Sequence, residues 1–378
     1  MKRYAHGGRV VTLDVELVVR AMSCAVRDAP SSEPHGVRSE MSVPDNAREF
    51  YSGKNICAPM VRISTLATRL VAAEYGADLV YSEEIVDKRF VTCKRVENKE
   101  LGTIDFVDNK DVLTFRTVPE EKERLVFQVG TSSAALALQS AQLVAGDVAA
   151  IDVNMGCPKH FSTSGGMGAR LLSQPELIRD ILVTLRRNLP ATTHVTCKIR
   201  LLESEKATAE LAKMIESCGV SAFAVHGRYI PQRPREPAHW SLIKNVVDSV
   251  DCPVIANGDV MCYEDFAKIR VETGAASAMC ARAAQWNLSV FRAEGFLPIH
   301  EVKRHFVRRA IEYDNPLTFT KFQLREILNH HKLQISQEGN DLLKAKTWDD
   351  VAEVYGLQDA LKECRERRRR ALLRDEPT

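Results

Sequence analysis

From residue 55 onward, short apolar runs rich in Val, Ile and Ala alternate with longer stretches whose hydrophobic positions recur every three or four residues. The runs are NICAPM (55–60), ADLVYSE (77–83), LVFQVG (125–130), AAIDVNMG (149–156), HVTCKIR (194–200), AFAVHG (222–227), PVIANGD (253–259) and ASAMCAR (276–282). Between them lie STLATRLVAAEYG, SAALALQSAQLVA, QPELIRDILVTLRRN and TAELAKMIESCG, amphipathic at helical spacing, several closed by glycine as a helix C-terminus is. Nearly continuous apolar strands separated by helices predict a parallel sheet covered on both faces. Eight of them close a (β/α)8 TIM barrel. An open doubly wound sheet is the rival, but it has fewer strands and an early G-x-G-x-x-G that this chain lacks. Residues 84–124 form a longer insertion, in which DFV and VLTFRT predict a hairpin. Past about residue 294 only helical periodicity remains. The chain therefore divides into an extension over 1–50 expected to be disordered, a barrel over 51–293, a helical bundle over 294–357 and a basic tail over 358–378.

A barrel gathers its chemistry at the C-terminal ends of its strands. Those ends hold Pro59 and Met60, Glu83 and Glu84, Gln128, Asn154 and Cys157, Lys198 and Arg200, His226, Asn257 and Gly258, and Ala281 and Arg282. Any one of these polar groups has an ordinary explanation as a loop cap or a satisfied partly buried residue. Together, at equivalent positions, they predict a site. The segments ANGD and CARAA, after the seventh and eighth strands, offer loop amides and Arg282 to a phosphate. Gln128 and Lys198, from opposite sides of the mouth, can hydrogen-bond the edge of a planar heterocycle, and His226 can reach the same ring. A phosphate at that end and a ring over the barrel centre describe FMN; NAD fits less well, because its pyrophosphate fingerprint is missing.

Cys157 stands between Gly156, which clears space, and Pro158, which stops the strand. An unperturbed thiol, with a pKa near ~8.5, is mostly protonated at neutral pH and can donate that proton. A nucleophilic role aided by His160 is a second reading. The stretch STSGGMG lacks the Gly-Lys-Ser/Thr of a phosphate-binding loop and reads as a flexible lid carrying Cys157 over the ring.

These residues, N-M-G-C-P with K-x-F-S-T-S-G-G-M-G, and with them ICAPM, FQVG, CKIR, VHGR, IANGD and ARAA, resemble the tRNA-dihydrouridine synthase family, nearest to its eukaryotic dihydrouridine synthase 2 branch. The resemblance covers residues 54 to 357. It implies an FMN-containing barrel with a helical domain, reducing the C5–C6 bond of a uridine in the tRNA D-loop, at position 20, with NADPH (or NADH) as electron donor. It further implies Cys157 as proton donor, and Pro59, Met60, Gln128, Lys198, His226, Asn257, Gly258, Asp259, Ala281 and Arg282 as FMN contacts. Arg62, Asn154, Lys159 and Arg200 would hold the substrate. Animal members of this branch continue into a double-stranded-RNA-binding domain, which is not read in these residues. The alternative is an FMN-dependent dehydrogenase of a small pyrimidine on the same barrel; a non-catalytic RNA-binding barrel is a third reading.

Composition limits the partners. With 45% hydrophobic and 27% charged residues and a net charge of +2, the chain is not basic overall, so binding of tRNA would rest on local patches. Residues 300–332 hold seven Lys or Arg against four acids, and four histidines, and are expected to form a phosphate-binding surface. The loop RYIPQRPREP is expected to add Arg228, Arg233 and Arg235 to it, and RERRRR is either a weak RNA grip or a solvated helix end. Ten scattered cysteines without C-x-x-C predict free thiols and no metal site, and no apolar span reaches 18 residues, so no membrane is expected. The expected state is a cytoplasmic monomer, with mitochondria as the alternative compartment.

Overall fold

The computed structural model describes residues 46–374. Eight parallel strands follow the eight apolar runs: β1 Asn55–Cys57, β2 Leu79–Tyr81, β3 Leu125–Gly130, β4 Ala150–Asn154, β5 His194–Leu201, β6 Ala222–Tyr229, β7 Val254–Asn257 and β8 Ser277–Cys280. Each pairs with its neighbours in sequence, β1 also pairs with β8, and β2 pairs with β3 through Val80 opposite Leu125 and Tyr81 opposite Val126. The sheet is a closed TIM barrel. Helices α1 Leu66–Glu74, α2 Ala134–Val144, α3 Pro175–Asn188, α4 Glu205–Glu216, α5 Trp240–Val247 and α6 Tyr263–Thr273 surround it.

Strand alternation divides the core in two. Ile56, Leu79, Tyr81, Val126, Ala150, Ala222, Ala224, Ile255 and Met279 fill the barrel interior, large residues interleaved with small ones. Leu125, Phe127, Ile151, Val153, Val195, Cys197 and Ile199 point outward into the larger cluster shared with the helices. Residues 1–45, most of the predicted extension, lie outside the described residues. Its last residues do not hang free: Ala47–Phe50 is a turn of helix, Phe50 stacks on His194 with ring centroids 4.4 Å apart, and Tyr51 is fully buried at the barrel floor.

The insertion contains the expected hairpin, Thr103–Val107 against Leu113–Thr117, and a third antiparallel strand, Lys94–Asn98. Four of that strand's five residues are exposed, so no hydrophobic alternation announced it. Phe90, Phe106, Phe115 and Phe127 fasten this sheet to the outside of β3.

Beyond the barrel lie α7 Ile299–Glu312, α8 Leu317–His330, α9 Gln337–Lys344, α10 Trp348–Tyr355 and α11 Gln358–Arg374. They are docked on the barrel: Glu74 of α1 accepts from His305 and Arg309 (2.7 and 2.6 Å), and Gln285 donates to Glu326 (2.6 Å). The expected basic tail is α11, which packs on α7 and α10 through Leu361 and through Arg365–Asp349 pairing at 2.7 Å. No helix among the described residues is long and apolar enough to cross a membrane.

Candidate functional site

Because Val195, Cys197 and Ile199 face the helices, period two turns Thr196, Lys198 and Arg200 of β5 towards the barrel axis. The same rule turns in Gln128, Asp152 and Asn154, and these side chains form a ladder across β3, β4 and β5. Thr196 Oγ1 donates to Asp152 Oδ1 (2.7 Å), Gln128 Nε2 donates to Asp152 Oδ2 (2.8 Å), and Asn154 Nδ2 donates to Gln128 Oε1 (3.1 Å). Asn154 Oδ1 then accepts from the backbone N–H groups of Gly156 and Cys157, both at 3.0 Å. The ladder thus runs from the interior to the backbone of the thiol. Asp152 is fully buried, and burial pushes its carboxyl up to about 6 against the hydrogen bonds from Gln128 and Thr196. Lys198 makes no hydrogen bond through its side chain among the described residues; burial and the nearby Arg200 push its ammonium down to about 7, which Asp152 partly offsets.

Cys157 sits just past β4 and is half-buried. Its carbonyl accepts from Ala169 (2.9 Å), and Arg200 Nε donates to the carbonyl of Gly156 (2.8 Å), so the loop is tied down on both sides of the thiol. Gly168 adopts φ +58°, and a Cβ there would stand 2.5 Å from the Cys157 carbonyl and 2.4 Å from Ser162 Oγ. The glycine-rich stretch therefore serves close packing against the thiol's own backbone. Burial pushes the Cys157 thiol up, the Glu84 charge adds to this, and the Lys159 N–H and ammonium oppose it. The thiol is protonated at neutral pH.

Across the mouth, at the ends of β6, β7 and β8, Arg200, Arg228, Arg233 and Arg282 line a cavity of about 130 Å³ together with His226 and Gly258. Asp259 is the carboxylate among them. Its Oδ1 accepts from Arg228 and Arg282, and its Oδ2 from the Ala238 N–H at 2.6 Å, so it orients the cations from within the cavity lining. Four arginines against one carboxylate make an anion pocket suited to a phosphate. Burial and this cationic company hold His226 well below its ordinary value, hence neutral. Its Nε2 lies 3.1 Å from Arg228 Nη1, which can only donate, so Nδ1 carries the proton. Gly258 stands at φ +132°, and a Cβ there would meet Ala238 at 2.7 Å. Asn257 braces the same corner by donating to the Met279 carbonyl (2.8 Å).

Pro59 and Met60 lie at the rim beside β1, and Ala281 lines the cavity next to Arg282. Arg62 is exposed in left-handed backbone (φ +66°); its N–H donates to Glu83 (2.8 Å), and its guanidinium covers the Phe322 ring of α8 at 5.7 Å. Lys159 is exposed at the loop surface. Arg228 corrects an expectation: it is 3% exposed and bonded to Glu236, His226 and Asp259, so it belongs to the anion pocket and not to an outer RNA surface. Its place two residues after His226 on one strand was the available signal. Asp152 could have been found in the same way, two residues before Asn154.

A family model described as Dihydrouridine synthase (Dus) matches residues 56–371. The chain belongs to the dihydrouridine synthase family. It is 40% identical over 323 residues to tRNA-dihydrouridine(20) synthase (NAD(P)+) of Schizosaccharomyces pombe, covering 82% of this chain and 66% of that protein. Over 298 residues it is 36% identical to the Saccharomyces cerevisiae protein of the same name, covering 74% and 78%. Over 250 residues it is 32% identical to the human tRNA-dihydrouridine(20a/20b) synthase-like protein, covering 65% and 74%. The family match spans the anion pocket, the β3–β5 ladder and Cys157 alike.

Proposed function

We propose that this chain reduces the C5–C6 double bond of a uridine in the tRNA D-loop, at position 20, using FMN re-reduced by NADPH or NADH. The observation that carries the reading is a free, half-buried thiol, Cys157, at the mouth of a barrel whose β6–β8 end is an arginine-lined anion pocket. The relatives named above, with their tRNA and NAD(P)+ designations, support the substrate and the electron donor. The donor set suits a flavin mononucleotide. Arg228, Arg233 and Arg282 would hold the phosphate monoester, and the unpaired Lys198 ammonium would hold the electron-rich side of the ring, with the His226 Nδ1–H as a further donor. When bound, the flavin supplies hydride.

C6 of uracil is conjugated with the C4 carbonyl, so hydride addition there leaves negative charge over C5 and O4. C5 must then be protonated. Cys157 gives its S–H proton to C5, and the ladder through Asn154 fixes where that thiol stands. Arg200 steadies the same loop and Lys159 adds positive charge beside it. A uridine stacked in a helix cannot reach a barrel mouth, so the target base is splayed out of its loop. The test offers the FMN-loaded protein and NADPH either tRNA or free uridine and uracil. Dihydrouridine is expected in tRNA alone; equal turnover of the free base would overturn the tRNA reading and leave a small-molecule reductase.

A further inference from the structure

We propose that Glu84 is the positioning residue of Cys157: its buried carboxyl anchors the thiol proton and latches the glycine-rich loop that carries the thiol. This rests on the role given to Cys157 above. Glu84 follows β2 and is 6% exposed, and it makes no ion pair among the described residues. A carboxyl buried without a cation costs several kcal/mol unless hydrogen bonds compensate, which marks it as a candidate for function. Its surroundings are shaped for it. Gly130, the last residue of β3, has no room for a side chain, because a Cβ there would stand 2.6 Å from Glu84 Oε1. Ser162, fully buried in the loop after Cys157, donates to that oxygen at 2.7 Å. Oε2 is buried with no hydrogen-bond partner among the described residues. Gly168 packs Cys157 next to Ser162, the residue bonded to this carboxyl, since a Cβ on Gly168 would stand 3.2 Å from Cys157 Cβ and 2.4 Å from Ser162 Oγ. One side chain therefore meets the strand below it and the loop above it, and keeps a buried acceptor open beside the segment that carries the thiol.

The charges facing the sulfur set the sign. Lys159, Lys198 and Arg200 favour thiolate; the Glu84 carboxylate and burial disfavour it. Glu84 itself is pushed up by burial, against the hydrogen bond from Ser162. Removing its charge while keeping its shape must therefore make the thiol more acidic.

The experiment follows iodoacetamide alkylation of Cys157 by peptide mass spectrometry from about pH 6 to about pH 11, in the full chain and in Glu84→Gln and Ser162→Ala. In the unsubstituted chain the midpoint is expected above the ~8.5 of a free thiol. In Glu84→Gln it falls by about one pH unit, with alkylation roughly ten-fold faster below the midpoint. Ser162→Ala, which loosens the latch and keeps the charge, leaves the midpoint in place. With tRNA as substrate, the alkaline limb of dihydrouridine formation in Glu84→Gln moves down with the thiol, whereas flavin content and reduction by NADPH do not change. An unshifted midpoint in Glu84→Gln overturns the proposal. So does a midpoint at or below ~8.5 in the unsubstituted chain, a measurement that stands even where the variant fails to fold. Alkylation needs neither flavin nor tRNA, so absence of dihydrouridine formation by the unsubstituted protein would overturn the proposed function without touching this result.

Discussion

At the scale of the residue, the site separates groups that would meet ligand from groups that hold them. Arg282 and Lys198 are the first kind; Asn154 Oδ1 and the carboxylate oxygens of Asp152 and Asp259 are the second, each accepting hydrogen bonds inside the protein. Arg282→Ala is expected to weaken FMN binding by about 10- to 100-fold, since a charged hydrogen bond contributes about 1.5–3 kcal/mol; fluorescence titration of flavin checks it. Asn154→Ala strips the acceptor from two N–H groups beside Cys157. It should lower stability by about 1–3 kcal/mol in urea unfolding and depress turnover, with flavin affinity little changed. A sequence gives the residue type at a strand end, but not whether its last lone pair is already taken. That is why Arg228 read as an RNA contact, whereas the structure closes it into the anion pocket, and why the hold of Asn154 Oδ1 on the thiol loop could not be read from its type.

At the scale of the element, the eight strands were legible because parallel strands are buried on both faces and leave continuous apolar runs, and the interior–exterior split followed from period two. Lys94–Asn98 was not, since a solvent-facing edge strand carries charge where a pattern is sought. The glycine loop was legible as glycine-rich but not as packed: Gly168 is required by left-handed backbone and by the 2.5 Å approach to the Cys157 carbonyl. Gly168→Ala should therefore cost about 1–3 kcal/mol of strain and displace the thiol. Thermal unfolding and turnover measured together check this, both falling while the flavin spectrum persists.

At the scale of the molecule, the cations of the basic run in the helical domain fall into two sets. Lys303 is 2% exposed and paired with Glu338 (2.5 Å), and Arg309 is shared between Glu74 and Glu312 (both 2.6 Å), so these cations build the bundle and its joint with α1. Arg308, Arg325 and Lys332 are exposed and form no ion pair among the described residues. Reversing these three charges is expected to weaken tRNA binding and to lower the salt slope by roughly 0.7–0.9 for each phosphate no longer neutralised, with melting temperature unchanged; Lys303→Ala should do the opposite. The central claim, that Cys157 delivers the proton, is tested most directly by single turnover. The NADPH-reduced, FMN-loaded protein is mixed without oxygen with tRNA lacking dihydrouridine, and the product is counted against flavin reoxidised. The account predicts equal amounts in the unsubstituted chain, and almost no product from Cys157→Ala despite normal flavin content and normal reduction by NADPH. Dihydrouridine formed by Cys157→Ala at the unsubstituted rate would contradict it.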